Sequence, residues 1–312
     1  MNFLVIGAGG IGCYYGARLQ QAGHSVSYLA RGEHLIAMQQ HGLQIRHEDI
    51  EFCESVDAMN VQQLLQKKTC NQYDLMILTT KGGSTQTILD QLEGWLSTAD
   101  TPFLSLQNGV DNEPLIAKVI GDKRTLGGLA VRIGGHIISP GKIEATGPAQ
   151  IILGPWPNAN SCSTQEEKLV DKFAEELNNA SIPSRVSSNI QQELWRKLII
   201  NNGVNPLSAL TGLDTKTLTS HPVLTKNVYQ LMAEVATVAK ADNVELGKED
   251  VDEMYELICT FDAIKTSMLV DKEKGRPMEL DSICGAVLRR ASKLGIETPA
   301  TALVNAVLLV QE

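Results

Sequence analysis

The sequence lacks the features that mark nucleic-acid-binding and membrane proteins. Its net charge is −9 and it has no long basic run, so neither nucleic acid nor an anionic membrane is expected as a main partner. No apolar segment reaches the length of a spanning helix, about 20 residues. The opening MNFLVIGAGG lacks the basic start and the long apolar core of a signal peptide. What remains is a chain whose 43% hydrophobic and 20% charged shares are typical of a globular protein. Its length of 312 residues predicts two domains of ordinary size.

The spacing of the cysteines excludes the usual cysteine sites. The six cysteines contain no C-x-x-C pair and no metal-ligand spacing; they are Cys13, Cys53, Cys70, Cys162, Cys259 and Cys284. Nothing in this pattern demands disulfides, so a reducing cytoplasm is the expected location and no metal is expected. We find no internal repeat and no low-complexity tract.

The first half of the chain alternates short apolar runs with helical patterns. NFLVIG, GCYYGARLQQAG and HSVSYLAR predict a β-α-β unit within the first 31 residues, and strands are predicted again at 74–81 and 102–109. From 124 to 154, strand-like segments follow each other across glycine turns, which favours an antiparallel extension. Ser163 and Glu166 form a capping-box pattern that starts a helix. This alternation predicts a doubly wound, mainly parallel sheet.

The last third of the chain carries only helical periodicity. The segments near 190–203, 222–242, 248–270, 279–294 and 298–311 all repeat apolar residues at helical spacing. We therefore predict an α/β domain with a doubly wound sheet at 1–188, followed by an all-α domain at 189–312.

The motif GAGGIG follows the first predicted strand and opens the first predicted helix. Gly7, Gly9 and Gly12 match G-x-G-x-x-G, in which the glycines allow a tight turn, a close approach to a pyrophosphate and close helix packing. The helix N-terminus then offers its N–H groups to the phosphates. We expect the whole loop to bind the cofactor, that is Gly7, Ala8, Gly9, Gly10, Ile11 and Gly12. A glycine-rich turn in some other α/β fold is the alternative.

The end of the second predicted strand favours NADP(H) over NAD(H). NAD-binding folds usually place an acidic residue there for the ribose 2′-hydroxyl. This chain has no acid between Ser25 and Arg31, and Arg31 can pair with a 2′-phosphate. A solvated loop arginine is the alternative. Lys81 and Asn108 end the next two strands and are expected at the cofactor crevice, although turn chemistry also explains an Asn-Gly pair.

A nicotinamide cofactor implies hydride transfer, and reduction of a ketone also needs a proton donor. In ELWRKLIINNGVNPL, Lys197, Asn201 and Asn205 fall on one arc of a helix because residues four apart share a face. Lys197 is the preferred general acid, and the asparagines can bind a substrate hydroxyl. Asn205 precedes Pro206, so it is expected at the end of the helix. An exposed lysine with capping asparagines is the alternative.

Taken in order, these motifs resemble the ketopantoate reductase (2-dehydropantoate 2-reductase) family. The resemblance covers nearly the whole chain: GAGGIG, Arg31, TTKG, LQNG, SPGKI, ELWRKLIINNGVNPLSAL, TSMLVD and MELDSICGAVLRRASKLGIETP. It implies that residues 1–188 form an α/β Rossmann-like dinucleotide-binding domain and that residues 189–312 form an all-α substrate and catalytic domain, with the active site in the cleft between them. It also implies NADPH-dependent reduction of 2-dehydropantoate to pantoate, in pantothenate biosynthesis and the coenzyme A pathway.

The resemblance also implies roles for individual residues. Lys197 matches the catalytic lysine, which acts on the C2 carbonyl and contacts the substrate. Asn201 and Asn205 match substrate-binding asparagines, and Ser267 matches the serine that holds the substrate carboxylate. The matching cofactor-contacting positions are Lys81, Asn108, Val131 and Glu279, the last of which also lies near the reacting hydroxyl.

Three departures from the family pattern leave the exact substrate open. Gly83-Ser84 replace a bulky residue and a glutamine, Asp111 replaces a common glycine, and Cys284 replaces a common asparagine; each is expected to line the cleft. A reductase of another 2-oxo acid or of an imine is therefore a second hypothesis, and a non-catalytic NADP(H)-binding sensor is a third. The expected partner is a small 2-oxo acid, and the oligomeric state stays open, a homodimer among the alternatives.

Overall fold

The computed structural model describes residues 1–161 and 163–311, so Cys162 lies outside the described residues. The chain forms two compact units. The first comprises Met1–Gln107 and Asn112–Ile190, and the second comprises Asn108–Asp111 and Gln191–Glu312. The four residues Asn108–Asp111, here called the 108–111 segment, therefore belong to the second unit although the chain on both sides belongs to the first.

The first unit is built on an eight-stranded sheet with the order β12-β11-β8-β7-β6-β1-β2-β5. Its strands are β1 (Asn2–Ile6), β2 (Ser25–Leu29), β5 (Asp57–Met59), β6 (Leu75–Leu78), β7 (Phe103–Ser105), β8 (Thr125–Val131), β11 (Gln150–Pro155) and β12 (Ser184–Val186). All neighbours from β5 to β8 are parallel, and β11 pairs antiparallel with β8. The predicted parallel sheet is confirmed, and β11 forms its antiparallel extension. Residues 134–146 were expected in the same extension, but their two strands belong to a second sheet.

A second, four-stranded sheet packs on the same unit in the order β4-β3-β10-β9. Its strands are β3 (Leu43–His47), β4 (Ile50–Glu54), β9 (Gly134–Ser139) and β10 (Lys142–Thr146). The sequence pattern gave no expectation for residues 43–54. The alternating burial of β3, in which residues 43, 45 and 47 are buried, is the period-two signal of a half-covered strand.

Helices cover both faces of the main sheet. The helices of the first unit are α1 (Gly10–Gln21), α2 (Gly32–His41), α3 (Val61–Lys67), α4 (Thr85–Leu96), α5 (Asn112–Ile120) and α6 (Thr164–Asn179). Strand β1 shows the layering directly. Phe3 and Val5 belong to the hydrophobic core on one face, whereas Leu4 and Ile6 belong to the core on the other. A strand buried on both faces reads as a continuous apolar run, which is why NFLVIG predicted it.

The second unit is helical. Its helices are α7 (Ile190–Thr211), α8 (Thr215–Ser220), α9 (Leu224–Ala239), α10 (Lys248–Cys259), α11 (Ser267–Glu273), α12 (Ala286–Leu294) and α13 (Pro299–Leu309), with a π-helical turn at Asp281–Gly285 directly before α12. The structure assigns no strand to residues 191–311. The predicted fold class, a Rossmann-like unit followed by a helical one, is confirmed.

Helix α7 corrects one expectation. Pro206 was expected to end this helix near Asn205, but the helix continues to Thr211. A proline inside a helix removes one backbone hydrogen bond. The residues beyond it, including Leu207 and Ala209, are buried, and their burial offsets that loss.

Candidate functional site

The glycine loop lies between β1 and α1, as the motif predicts, and each glycine has its own structural reason. Gly7 has a φ of +103°, and a Cβ there would lie 2.6 Å from Thr80 Cγ2. A Cβ on Gly12 would lie 2.4 Å from both the Gly7 oxygen and Thr79 Oγ1. At Gly9, which precedes the first turn of α1, a Cβ would meet no atom within 4 Å. The loop therefore leaves open space at Gly9, where the motif requires room for a pyrophosphate.

Gly10 has a packing role that the motif does not reveal. A Cβ on Gly10 would lie 2.1 Å from the Gly135 carbonyl carbon, because β9 passes directly against the start of α1. Ala8 is buried, and its N–H donates to the Leu29 oxygen at 2.8 Å. Ile11 is partly buried against the same core. These three residues fix the loop between neighbouring strands, and any contact they make with a cofactor stays a prediction.

A buried polar network fixes the chain after β6 and β7. Gln107 Nε2 donates to the Thr80 oxygen at 2.8 Å, and Thr85 Oγ1 lies 3.1 Å from Gln107 Oε1 and 2.8 Å from Asn112 Oδ1. Buried polar groups are stable only when they are hydrogen-bonded. Sequence reasoning missed Gln107 and Thr85, whose only signal was their position beside strand ends.

Three predicted cofactor residues of the first unit lie at or just beyond strand ends. Arg31 follows β2 at the N-cap position of α2 and is exposed. Lys81 is exposed and lies three residues after β6, where its carbonyl accepts from Ser84 N–H at 2.9 Å. Val131 is the last residue of β8 and is half-buried. These positions are those at which ligands bind in open α/β sheets.

In the second unit, helix α7 carries the predicted lysine and asparagines. Lys197 and Asn201 are half-buried, and Asn205 is 5% exposed. The spacing of four residues puts the three side chains on one face of the continuous helix. The expectation that Asn205 ends the helix is wrong, since six helical residues follow it.

Neighbouring residues of α7 anchor the helix. Asn202 is fully buried and donates to the Leu231 oxygen and to Thr301 Oγ1, each at 3.1 Å. Arg196 pairs with Asp250 and, at 2.6 Å, with Glu253 of α10. The polar residues of α7 therefore form two groups. Arg196 and Asn202 anchor the helix, whereas Lys197, Asn201 and Asn205 share the face that the sequence predicts to bind the substrate.

Asn108 and Glu279 meet within the second unit, although they are 171 residues apart in the chain. Asn108 Nδ2 donates to Glu279 Oε2 at 3.0 Å. Sequence reasoning proposed both residues, but only the structure shows that they form a pair. Ser267 is the first residue of α11 and is exposed.

The three departures from the family pattern occupy different environments. Gly83 is exposed, and a Cβ there would meet no atom within 4 Å. Cys284 is fully buried in the π-helical turn, and burial raises the pKa of its thiol to about 12. A buried neutral thiol is not available to a substrate, so the expectation that Cys284 lines a cleft is wrong. Asp111 is held by two arginines.

The described residues contain neither a candidate metal site nor a candidate membrane-spanning helix. No group of three or more His, Cys, Asp and Glu side chains could hold a metal ion. Within the same part of the chain, every helix is too short or too polar to cross a bilayer.

Comparisons with known proteins show similarity along nearly the whole chain. The family model described as "Ketopantoate reductase PanE/ApbA" matches residues 3–158, and the model of its C-terminal part matches residues 189–312. The 2-dehydropantoate 2-reductase of Pyrococcus abyssi is 28% identical over 305 residues, which are 97% of this chain and 95% of the relative.

Solved structures extend the likeness to the fold of the whole chain. The structure of 2-dehydropantoate 2-reductase from Methylococcus capsulatus is 29% identical, with a TM-score of 0.85 and coverage of 100% of this chain and 96% of that one. A ternary structure of D-mandelate dehydrogenase with NADH and anilino(oxo)acetate is 25% identical, with a TM-score of 0.89 and coverage of 99% and 97%. The chain therefore belongs to the ketopantoate reductase family and is an oxidoreductase.

Proposed function

We propose that this protein reduces 2-dehydropantoate to pantoate with NADPH, a step of pantothenate biosynthesis and of the coenzyme A pathway. The observation that carries the proposal is the match of both family models, which together span the glycine loop and the Lys197 helix. Curated relatives with the name 2-dehydropantoate 2-reductase align over nearly the whole chain, which supports this substrate above others.

The first unit has the residues to hold the cofactor. The open space at Gly9 and the N–H groups at the start of α1 suit a pyrophosphate. Arg31 is exposed at the end of β2, where it can pair with a 2′-phosphate, and no acidic residue between Ser25 and Arg31 competes for a 2′-hydroxyl. Lys81 and Val131 of the first unit, together with Asn108 and Glu279 of the second, complete the proposed set of cofactor contacts. When bound, NADPH supplies the hydride that reduces the substrate carbonyl.

The second unit supplies the proton and holds the substrate. As C2 of the 2-oxo acid gains the hydride, its oxygen gains negative charge, and the ammonium of Lys197 donates the proton that completes the hydroxyl. Asn201 and Asn205 lie on the same face of α7 and orient the substrate hydroxyl. Ser267, exposed at the start of α11, binds the carboxylate.

A second candidate function is the reduction of a bulkier 2-oxo acid. D-mandelate dehydrogenase, solved with NADH and anilino(oxo)acetate, resembles this chain with a TM-score of 0.89. Gly83 is an exposed glycine with open space around it, at a position where the family resemblance implies a bulky side chain. A 2-oxo acid with an aromatic substituent is the alternative substrate that these observations favour.

The proposal includes a cytoplasmic location. The five described cysteines are free, and three of them, Cys13, Cys70 and Cys284, are buried as thiols. Such a set suits a reducing compartment.

The test is the oxidation of the reduced cofactor, followed by absorbance, with purified protein. We expect turnover of ketopantoate with NADPH, a lower kcat/KM with NADH, and a lower kcat/KM with phenylglyoxylate than with ketopantoate. If phenylglyoxylate is the better substrate, the alternative replaces the first assignment. If no 2-oxo acid is reduced with either cofactor, both are wrong.

A further inference from the structure

The 108–111 segment is held at both ends by one helical stretch of the second unit. At its start, Asn108 donates to Glu279 at 3.0 Å. At its end, Asp111 Oδ1 lies 2.5 Å from Arg290 Nη1 and Asp111 Oδ2 lies 2.6 Å from Arg289 Nη2. Glu279 precedes the π-helical turn and the arginines follow it. The segment therefore lies alongside the π-helical turn, with one polar anchor on either side.

The middle of the segment allows this close approach. Gly109 has a φ of +99°, and a Cβ there would lie 2.7 Å from the Ser282 backbone oxygen. Val110 is 1% exposed, and its carbonyl accepts from Arg290 Nη2 at 3.2 Å. A π-helical turn inside an α-helix is a rare feature that is frequent at functional sites.

Arg290 is the centre of this arrangement. It is 8% exposed, and besides Asp111 it donates to Asp242 at 2.6 Å and to the Ala286 oxygen at 3.2 Å. Its guanidinium carbon lies 5.3 Å from the centre of the Trp195 ring. Trp195 belongs to α7 and lies two residues before Lys197 in the chain. One side chain thus contacts both the segment that carries Asn108 and the helix that carries Lys197.

The charges are balanced inside this cluster. Burial alone would raise the pKa of Asp111, but the charges and hydrogen bonds of Arg290 and Arg289 outweigh it and hold the pKa below its usual range. A buried guanidinium needs such carboxylates, because an unpaired buried charge is costly. Asp111 is therefore ionised at neutral pH and keeps both arginines in place.

We propose that Asp111 is a positioning residue, which through Arg290 holds the 108–111 segment so that Asn108 orients the Glu279 carboxylate. The inference rests on the proposed function, because Asn108 and Glu279 are its proposed cofactor contacts. In this role Asp111 acts through its contacts with Arg290 and Arg289, not through a contact with cofactor or substrate. The consequence is that a residue departing from the family pattern acts on the reaction through a neighbour three residues away.

The test compares Asp111→Asn with Asp281→Asn as a matched control. Both changes remove one carboxylate from Arg289, but only Asp111 is a residue of the 108–111 segment and a partner of Arg290. We expect Asp111→Asn to lower kcat/KM for the 2-oxo acid at least about tenfold, since small displacements of reacting groups are costly. Asp281→Asn should stay near the wild-type value, and Asp111→Glu should recover part of the loss. Equal kcat/KM for Asp111→Asn and the control would overturn the proposal.

A double variant separates positioning from general weakening of the fold. If Asp111 acts through Asn108, Asn108→Ala with Asp111→Asn should be no slower than Asn108→Ala alone. If the effects of the two substitutions on kcat/KM multiply, Asp111 acts independently of Asn108, and the proposal is wrong. If Asp111→Asn does not fold, Asp111→Glu, which keeps the charge but shifts the carboxylate, takes its place in the same cycle.

Hydrogen exchange keeps this proposal distinguishable from the proposed function. Amides 109–111 should exchange faster in Asp111→Asn than in Asp281→Asn, because the segment is released at one end. If the wild-type protein reduces no 2-oxo acid, the proposed function fails. Hydrogen exchange alone then tests whether Asp111 holds the 108–111 segment in place. Equal exchange rates in the two variants would then reject the role of Asp111.

Discussion

The two units build their proposed sites in opposite ways. In the first unit, the glycine loop is one short stretch of chain, and its properties come from the backbone: a left-handed residue at Gly7, close packing at Gly12 and open space at Gly9. In the second unit, the chemistry lies in side chains from separate segments, such as Asn108 and Glu279. A site formed by the backbone can be predicted from the local sequence, whereas a site formed by side chains from separate segments depends on tertiary contacts. Substitutions should therefore affect binding in the first unit and turnover in the second.

The largest expected effect is on turnover, at Lys197. We predict that Lys197→Ala lowers kcat by about 10²- to 10⁴-fold, the usual contribution of a general acid, and changes the Kd for NADPH by less than about twofold, because the cofactor residues are untouched. The control is Lys226→Ala, an exposed lysine on α9. Steady-state rates and titration of NADPH fluorescence measure the two quantities. A normal kcat in Lys197→Ala would remove Lys197 from the mechanism.

The second effect is on cofactor choice, at Arg31. Losing a charge-assisted contact costs about 1.5–3 kcal/mol, so Arg31→Gln should raise the Kd for NADPH by about ten- to a hundredfold and leave the Kd for NADH nearly unchanged. Arg46→Gln, an exposed arginine on β3, is the matched control. Equal losses for both cofactors would mean that Arg31 does not read the 2′-phosphate.

Structural features that depend on nearby residues were predictable from the sequence, whereas features that depend on contacts between distant residues were not. The strand NFLVIG and the glycine loop were predictable because strand burial and turn geometry act within a few residues. The end of α7 was misplaced because the rule for Pro206 is local, while the burial that carries the helix past it is tertiary. The pairing of Asp111 with Arg290 joins residues 179 apart, and no pattern within one sequence reports such a contact.

The third effect separates two glycines of one loop. At Gly9, φ is −84° and there is space for a methyl group, so Gly9→Ala should keep the wild-type stability but weaken cofactor binding about tenfold, because the methyl group fills the space kept for the pyrophosphate. Gly12→Ala should instead lower the free energy of unfolding by about 1–3 kcal/mol through overpacking against Gly7 and Thr79. Denaturant unfolding and NADPH titration test both. If Gly9→Ala binds NADPH normally, the loop is only a turn.

The smallest effect is a pH dependence of stability, in which the two units differ. In the first unit, His34 Nδ1 accepts from Gly141 N–H at 3.0 Å and its Nε2 lies 3.7 Å from Cys13 Sγ. Burial lowers the pKa of His34, an effect larger than the opposing one of the Ala8 carbonyl. In the second unit, the pKa of Asp111 is lowered by its arginines, so its contribution is lost only in acid, below about pH 4.

The sign for His34 follows from proton uptake. Because the folded pKa lies below the ordinary value of about 6.5, the unfolded chain binds the proton first as the pH falls, and the stability contributed by neutral His34 is present above about pH 6.5 and lost as the pH falls toward the folded pKa. His34→Gln, whose amide oxygen can still accept from Gly141, should therefore show a shallower fall of Tm between pH 7.5 and 5.5 than the wild type. His41→Gln, at the exposed end of the same helix, should keep the wild-type slope. Equal slopes in all three proteins would mean that protonation of His34 costs the fold nothing, and the pH response would then belong to the carboxylates of both units.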